Sequence, residues 1–385
     1  MQAVIGADVV LGQVVERPMS EQAIRVKQQA ETVDIVWPDG TQTSLPHLWL
    51  RDNCDCNDCR VEQTTEKKFM VTSVTVDIKP ASTEYLDDTL RIVWPDGHAT
   101  CYNGCDLHAF ANEDTEWRSE WGAGYVPVGF DFQDFLNDDG AAASAIQEFV
   151  KSGAMVLKNA PQEPNALEQL APRLGPIREV LFERIHNVEV YADGYNVAHT
   201  PLPLPPHNDF ASYSWPPSVQ ALHMLVNEVP GGESVVVDGW RVLSELRAAR
   251  PDLFDVLCST PVPFRMFDRD NETYTLEPLV RCDVDGHITG LRFSNQLMQA
   301  INPNRPGVAK FYRAYHELCK RVTDPSVKVS FRLGAGEILV VASHRVLHGR
   351  NAFQASGRRH LQDAYFEFDN VRNHLVLLRR KGLVQ

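Results

Sequence analysis

Three cysteines, Cys54, Cys56 and Cys59, stand within the stretch LRDNCDCNDCR at residues 50–60. Polar and charged residues separate them, so the run is not a piece of apolar core. Thiols at this spacing grip a metal, and a structural zinc asks for four Cys or His ligands in a tetrahedron. The fourth ligand must come from a segment that folds back, and His47, His98, Cys101, Cys105 and His108 are the candidates. His98 directly follows a VWPDG turn, where a hairpin tip presents it, and is the favoured choice. The competing readings are free thiols or a Cys54–Cys59 disulfide. A site ligated wholly by the protein has no open position, which makes such a zinc structural.

A second set of ligand-type residues lies further on. In LPLPPHNDF, an extended chain points His207 and Asp209 to the same side. His-x-Asp alone is a weak signal, but VASHRVLHGRNAF adds His344 and His348. Two imidazoles and one carboxylate form the triad that holds non-haem Fe(II) and leaves positions open for small molecules. Eleven residues after His348 comes Arg359, in RRHLQDAYFEF. A buried arginine there suits bidentate capture of a dicarboxylate. Strand parity puts Arg359, Leu361, Asp363 and Tyr365 on one face and Arg358, His360, Gln362 and Ala364 on the other. Pattern alone does not say which face looks inward, so Arg358 stays open as the alternative.

The elements around these residues follow from turn chemistry and periodicity. VWPDG occurs at 36–40 and again at 93–97, each time after an alternating apolar run, and Pro-Asp-Gly there marks a hairpin turn. KKFMVTSVTVDI between them reads as further strand. Residues 25–118 therefore form a small β-rich domain after an N-terminal extension, 1–24, and residues 119–129 are a linker. In 130–385, AAASAIQEFVKSG reads as a helix closed by Gly153, AMVLKNA as a buried strand, and WRVLSELRAARPDLFDVLC and PGVAKFYRAYHELCKRV as helices. Strands dominate the remainder. The fold class expected is mainly β with flanking helices: a jelly-roll core behind a small β-rich zinc domain.

Composition narrows the function. The chain has 385 residues, 51 acidic against 37 basic, and a formal charge of −14. That balance argues against a phosphate-binding or nucleic-acid surface and favours cationic ligands. Residues 1–20 lack a basic n-region with a long apolar core, and no apolar run reaches the ~18 residues of a membrane span. Eight cysteines in a chain of 385 residues do not make a secreted disulfide scaffold, so a reducing cytoplasm is expected.

With these residues in view, the sequence resembles the γ-butyrobetaine/trimethyllysine dioxygenase family of Fe(II)/2-oxoglutarate oxygenases. The motifs carrying the likeness are WLRDNCDCNDC, the histidine after the second turn, PHNDF, LHGR, RHL, GGESVVVDGW and RFSNQ. The resemblance implies a double-stranded β-helix core, iron on His207, Asp209 and His348, zinc on Cys54, Cys56, Cys59 and His98, and 2-oxoglutarate on Arg359. It implies hydroxylation of γ-butyrobetaine at its β-carbon to L-carnitine, with O2 consumed and succinate and CO2 released. Ascorbate as reductant and a homodimer come with it. The trimethylammonium substrate of the family sits in an aromatic cage. Tyr365 matches one cage tyrosine, while Phe182, His186 and His199 stand where the family has tyrosine, tryptophan and tyrosine. Tyr191, Tyr195 and Trp215 lie near enough in sequence to serve instead. Asn196 and Asn295 match positions that approach the substrate carboxylate. The alternatives are trimethyllysine, another small cationic or acidic metabolite such as a sulfonate, or a non-catalytic zinc-bearing jelly-roll binding module.

Overall fold

The structure, a computed structural model, describes residues 24–111, 118–181, 183–190, 197–268 and 270–383. The chain divides into two compact units, Met1–Thr115 and Glu116–Gln385.

The first unit carries two antiparallel three-stranded sheets, Arg25–Gln28, Thr32–Val36 and Gln42–Pro46 in one and Ser82–Leu86, Thr89–Val93 and Ala99–Asn103 in the other. The repeated VWPDG motif does the same job in both. Gly40 and Gly97 adopt φ of +88° and +83°, which glycine reaches without steric cost. In each copy the tryptophan is buried and its indole N–H donates to a threonine six residues on: Trp37 to Thr43 and Trp94 to Thr100, both at 2.8 Å. Val33, Ile35, Leu50, Leu90 and Ile92 complete this core. Each such side chain contributes roughly 1.5–3 kcal/mol on burial. The strand expected in KKFMVTSVTVDI is absent: apart from an isolated bridge of Lys67 to Arg60, only the 3-10 turn Val71–Ser73 forms there. Met70 and Val76 are exposed, so β-branched propensity without a partner edge or a face to bury makes no strand.

The second unit is built on two sheets. The larger runs Val128–Asp131, Ala154–Lys158, Glu337–Ala342, Val219–Asn227, Arg359–Phe366 and His186–Val188, and the smaller runs Leu204–His207, Val346–Arg350, Ser234–Asp238 and Lys328–Phe331. Alternation divides the larger sheet cleanly. Ile338, Val340, Ala342, Val219, Ala221, Ala364 and Phe366 face the helices Asp139–Ser152 and Phe368–Arg380. Leu339, Val341, Leu222, Met224 and Leu361 face Val236, Val329 and Val346 of the smaller sheet. Two sheets packed face to face with helices outside make the jelly-roll sandwich expected. The expected helix in WRVLSELRAARPDLFDVLC is two, Gly239–Ala249 and Pro251–Ser259, because Pro251 cannot continue the hydrogen-bond ladder and starts a new helix instead. No helix among the described residues is long and apolar enough to cross a membrane.

Candidate functional site

In the first unit, the helix His47–Asp52 delivers the chain into the cysteine loop, and the second VWPDG turn presents His98. His98 Nε2 lies 3.3, 3.7 and 3.5 Å from Sγ of Cys54, Cys56 and Cys59. One imidazole nitrogen serves one hydrogen bond, so three sulfurs around it are not a hydrogen-bonded cluster. Zn–S bonds of about 2.3 Å and a Zn–N bond of about 2.0 Å in a tetrahedron set each S···N edge at about 3.5 Å, the spacing seen. All eight cysteines are free thiols, which sets the disulfide reading aside. Of the other candidates, Cys101 and Cys105 are exposed and His108 pairs with Asp39. Burial pushes the Cys54 thiol up to about 11, so the thiolate needs a cation beside it. Arg51, itself buried, donates to Cys59 Sγ at 3.3 Å and orients that ligand from behind. These residues fit a structural zinc. Replacing Cys56 by Ser is expected to release it and to add an early transition on heating; retention of one tightly bound zinc per chain, measured by metal analysis, would reject the cluster.

In the second unit, the metal triad is assembled by strand pairing in the smaller sheet. His207, at the end of Leu204–His207, is paired in register with His348 of Val346–Arg350. Gly349 permits the approach: a Cβ there would stand 2.5 Å from the carbonyl oxygen of Leu204. The rings of His207 and His348 lie 4.5 Å apart. The chain then turns sharply at Phe210, in the left-handed region at φ +52°, and brings Asp209 beside both. One ligand atom from each of the three lies within 4.8 Å of the others. Asn208 pins the turn: its backbone N–H donates to Phe293 O at 2.8 Å, and its side chain bridges Phe293 N–H and Ser343 O.

The polar surroundings leave the right lone pairs free. His207 Nδ1 donates to Pro205 O at 2.9 Å, which puts the Nε2 lone pair toward Asp209 Oδ1, 3.2 Å away. Asp209 Oδ2 takes Gln220 Nε2 at 2.7 Å and the Tyr365 hydroxyl at 2.9 Å, so Oδ1 is the oxygen left for a metal. Burial disfavours charge on His207, yet Asp209 outweighs it and raises the imidazole's pKa. Burial would raise Asp209 too, but His348 and His207 hold it well below the carboxylate range. Burial, helped by His207, lowers His348 to about 4. A divalent cation held by the three would take the place of a proton among them. These residues fit Fe(II), with two nitrogens and one oxygen on one side and open positions on the other.

Two cavities adjoin the triad. The smaller cleft runs from His348 between Leu222, Leu339 and Leu361 to Arg350 and Arg359. Arg350 donates to three carbonyls, those of Ala198, Thr200 and Leu202. Arg359 is 8 % exposed, and its buried Nε has no hydrogen-bond partner. Burial, with Arg350 and Arg332 adding repulsion, lowers its pKa to about 10, which still leaves it charged at neutral pH. A buried guanidinium short of a partner calls for a carboxylate ligand. Arg358 is exposed, so the inward face is that of Arg359, Leu361, Asp363 and Tyr365.

The larger cavity, about 410 Å³, opens on the other side of Asp209 and is lined by His186, Phe210, Phe267, Ser294, Gln296, Asp363 and Tyr365 among others. Of the substrate residues expected from sequence, it holds Tyr365 and His186. His199 is buried behind it against Glu189 O and the His186 ring, and lines neither cavity. Asn295 is exposed and accepts from Tyr315, while its neighbours Ser294 and Gln296 reach the cavity because adjacent side chains in the turn diverge. Trp215 is half-exposed and covered by Arg281 and His344. Phe182, Asn196, Tyr191 and Tyr195 lie outside the described residues. His344 is turned away from the triad, with Nε2 on Pro216 O at 3.0 Å. Sequence reasoning missed Gln220, Asn208 and Phe210; Gln220 sits in a strand buried on both faces, where no alternation signals it.

Fold and site together define a mononuclear oxygenase, and the comparisons agree. Residues 113–365 match the family "Taurine catabolism dioxygenase TauD, TfdA family", and residues 24–104 match "Gamma-butyrobetaine hydroxylase-like, N-terminal". The chain belongs to the TauD/TfdA family of dioxygenases. It is a 2-oxoglutarate-dependent enzyme of that family. A gamma-butyrobetaine dioxygenase from Pseudomonas sp. (strain AK-1) is 33 % identical over 362 residues, covering 91 % of this chain and 94 % of its own. The human gamma-butyrobetaine dioxygenase is 28 % identical over 381 residues, 92 % and 97 % of the two chains. The mouse mitochondrial trimethyllysine dioxygenase is 28 % identical over 359 residues, 88 % and 84 % of the two.

Proposed function

We propose that the enzyme hydroxylates γ-butyrobetaine at its β-carbon to give L-carnitine. The observation that carries this reading is the larger cavity, where the rings of Tyr365 and Phe210, the partly exposed carboxyl of Asp209 and the buried carboxyl of Asp363 meet beside the triad. A quaternary ammonium cannot donate hydrogen bonds, and cation–π attraction of about 0.5–2 kcal/mol per ring together with buried negative charge is what holds one. Iron(II) with 2-oxoglutarate and O2 supplies the oxidant, with CO2 and succinate as co-products. The chain's own part is placement. His207, Asp209 and His348 hold the metal. Arg359 binds the far carboxylate of 2-oxoglutarate in the smaller cleft. Gln220 and Tyr365 keep Asp209 turned so that one oxygen serves the metal. The cavity wall sets which carbon faces the triad, and a fixed near-attack distance gives regioselectivity. A homodimer belongs to the same reading, supported by the resemblance to the γ-butyrobetaine dioxygenases.

The test is a panel on iron-loaded protein with 2-oxoglutarate, following succinate and hydroxylated product for γ-butyrobetaine, trimethyllysine and a sulfonate in parallel. Succinate tied one-to-one to hydroxylated γ-butyrobetaine, at a kcat/KM at least about tenfold above the others, is expected. Coupled turnover of trimethyllysine or the sulfonate alone would reassign the substrate.

A further inference from the structure

One wall of the larger cavity is a two-stranded hairpin, Val262–Phe267 paired antiparallel with Glu272–Glu277. Residues 297–299 border its first strand on the other edge: Arg265 N–H donates to Leu297 O at 2.9 Å and Gln299 N–H to Pro263 O at 2.8 Å. Between these bonds Phe264 and Met298 form a bridge, and both pack into the core beneath the helices Gly239–Ala249, Pro251–Ser259 and Val308–Val322. Side chains alternate across a strand, so Arg265, Phe267 and Gln299 turn to the opposite face, and all three line the cavity. Of the described residues on the cavity wall, Arg265 is the only lysine or arginine. It stands across from a triad side that carries the carboxyl groups of Asp209 and Asp363.

The guanidinium is held with one edge spare. Glu272 accepts from Nε at 2.8 Å and from Nη2 at 3.1 Å, and the Phe267 ring centroid lies 4.5 Å from the guanidinium carbon. Five N–H groups are available and Glu272 takes two. Nη1 has no hydrogen-bond partner among the described residues and is open to solvent, on a side chain that is 40 % exposed. The Nη1–Nη2 edge is therefore a fork that fits a second carboxylate. Asn295, expected to approach the substrate carboxylate, is instead turned to Tyr315. Resting on the substrate reading above, we propose that Arg265 is a substrate-binding residue that receives the carboxylate tail on its Nη1–Nη2 edge, while the cationic head lies toward Asp209 and Asp363. The cavity then reads both ends of a zwitterion, and the arginine selects acids over neutral compounds with the same head.

The measurement is calorimetric affinity for γ-butyrobetaine and for its amide, 4-(trimethylammonio)butanamide, on iron-loaded protein with 2-oxoglutarate, kept anaerobic so that no turnover occurs. The two ligands share head and length and differ only in the charge of the tail. A charge-assisted fork at a partly solvated wall is expected to make the wild-type chain bind the acid about tenfold tighter than the amide. Arg265→Ala is expected to cut that preference to about twofold or less, by weakening the acid while the amide stays within about twofold of wild type. Affinity for 2-oxoglutarate is expected to stay within about twofold too, since Arg265 lines the larger cavity and not the smaller cleft. A wild-type preference below about threefold overturns the proposal, and so does a variant that keeps the preference or loses acid and amide alike. A loss of 2-oxoglutarate affinity as large as that of the acid also overturns it, by placing the arginine on the co-substrate. If the variant does not fold, the wild-type comparison decides alone. Failure of the underlying substrate reading looks different: neither ligand gives heat with the wild-type chain, and this proposal falls with it.

Discussion

His207→Ala and Asp209→Ala are each expected to abolish substrate-coupled succinate formation, by more than about a thousandfold. Loss of a residue that only orients a metal ligand costs about 10–100-fold, and loss of a ligand itself must cost more. Each removal leaves two donors where three lie within 4.8 Å of one another, too few to hold Fe(II) against water. The fold is expected to survive. His207 ends its strand, and its Nδ1 hydrogen bond goes to the carbonyl of Pro205 in the same strand. Asp209 shares both of its donors, Gln220 and Tyr365, with Asp363, so its removal strands neither of them. The check is paired: succinate yield with γ-butyrobetaine, and melting temperature with iron content on the same preparation. Turnover surviving in both variants would remove the iron assignment. A collapsed melting transition would instead show that the triad also holds the smaller sheet together.

Arg359→Ala is expected to raise the half-saturating 2-oxoglutarate concentration by about a hundredfold or more. Truncating one partner of a buried, hydrogen-bonded charge pair costs roughly 3–5 kcal/mol, and each 1.4 kcal/mol is tenfold. Arg350 does not replace it, since its guanidinium is already committed to the carbonyls of Ala198, Thr200 and Leu202. Arg359→Lys is expected to recover only part of the loss, because an ammonium on a flexible stem lacks the planar fork that grips a carboxylate with two parallel bonds. The substrate's own KM is expected to move far less, since Arg359 lines the smaller cleft and not the larger cavity. An unchanged 2-oxoglutarate requirement in Arg359→Ala, with a raised one in Arg358→Ala, would mean that the strand presents its other face.

Much of the site was legible before any coordinates. Metal ligands are chosen by chemistry, and the few residue types that can serve stand out when clustered, as Cys54, Cys56 and Cys59 do. Hairpin turns are equally local, so the two VWPDG copies and the presentation of His98 could be read from a handful of residues. The strand in KKFMVTSVTVDI failed for the opposite reason: a strand exists only if something pairs with it, and propensity does not report that. The helix broken at Pro251 shows local chemistry overruling a long amphipathic pattern. The substrate wall was the least legible part. Asn295 and Ser294 are neighbours in sequence, and only the path of the turn sends one to solvent and the other to the cavity.

What the sequence by itself determined is a short list of candidates: three clustered thiols with five possible fourth ligands, a His-x-Asp with two later histidines, and two adjacent arginines, each recognisable because its element demands particular atoms. It also determined strand parity, so that Arg359, Asp363 and Tyr365 had to act from one side. What only the tertiary structure decided is which side, and what meets there. The strand Arg359–Phe366 is buried along its whole length, so burial could not separate its faces; the packing of one sheet on another did. The same packing brought Gln220, Asp209, Asp363 and Tyr365 from three separate segments into one hydrogen-bond network. Whether a buried oxygen there has a donor depends on distances across the sandwich, and no local pattern encodes them.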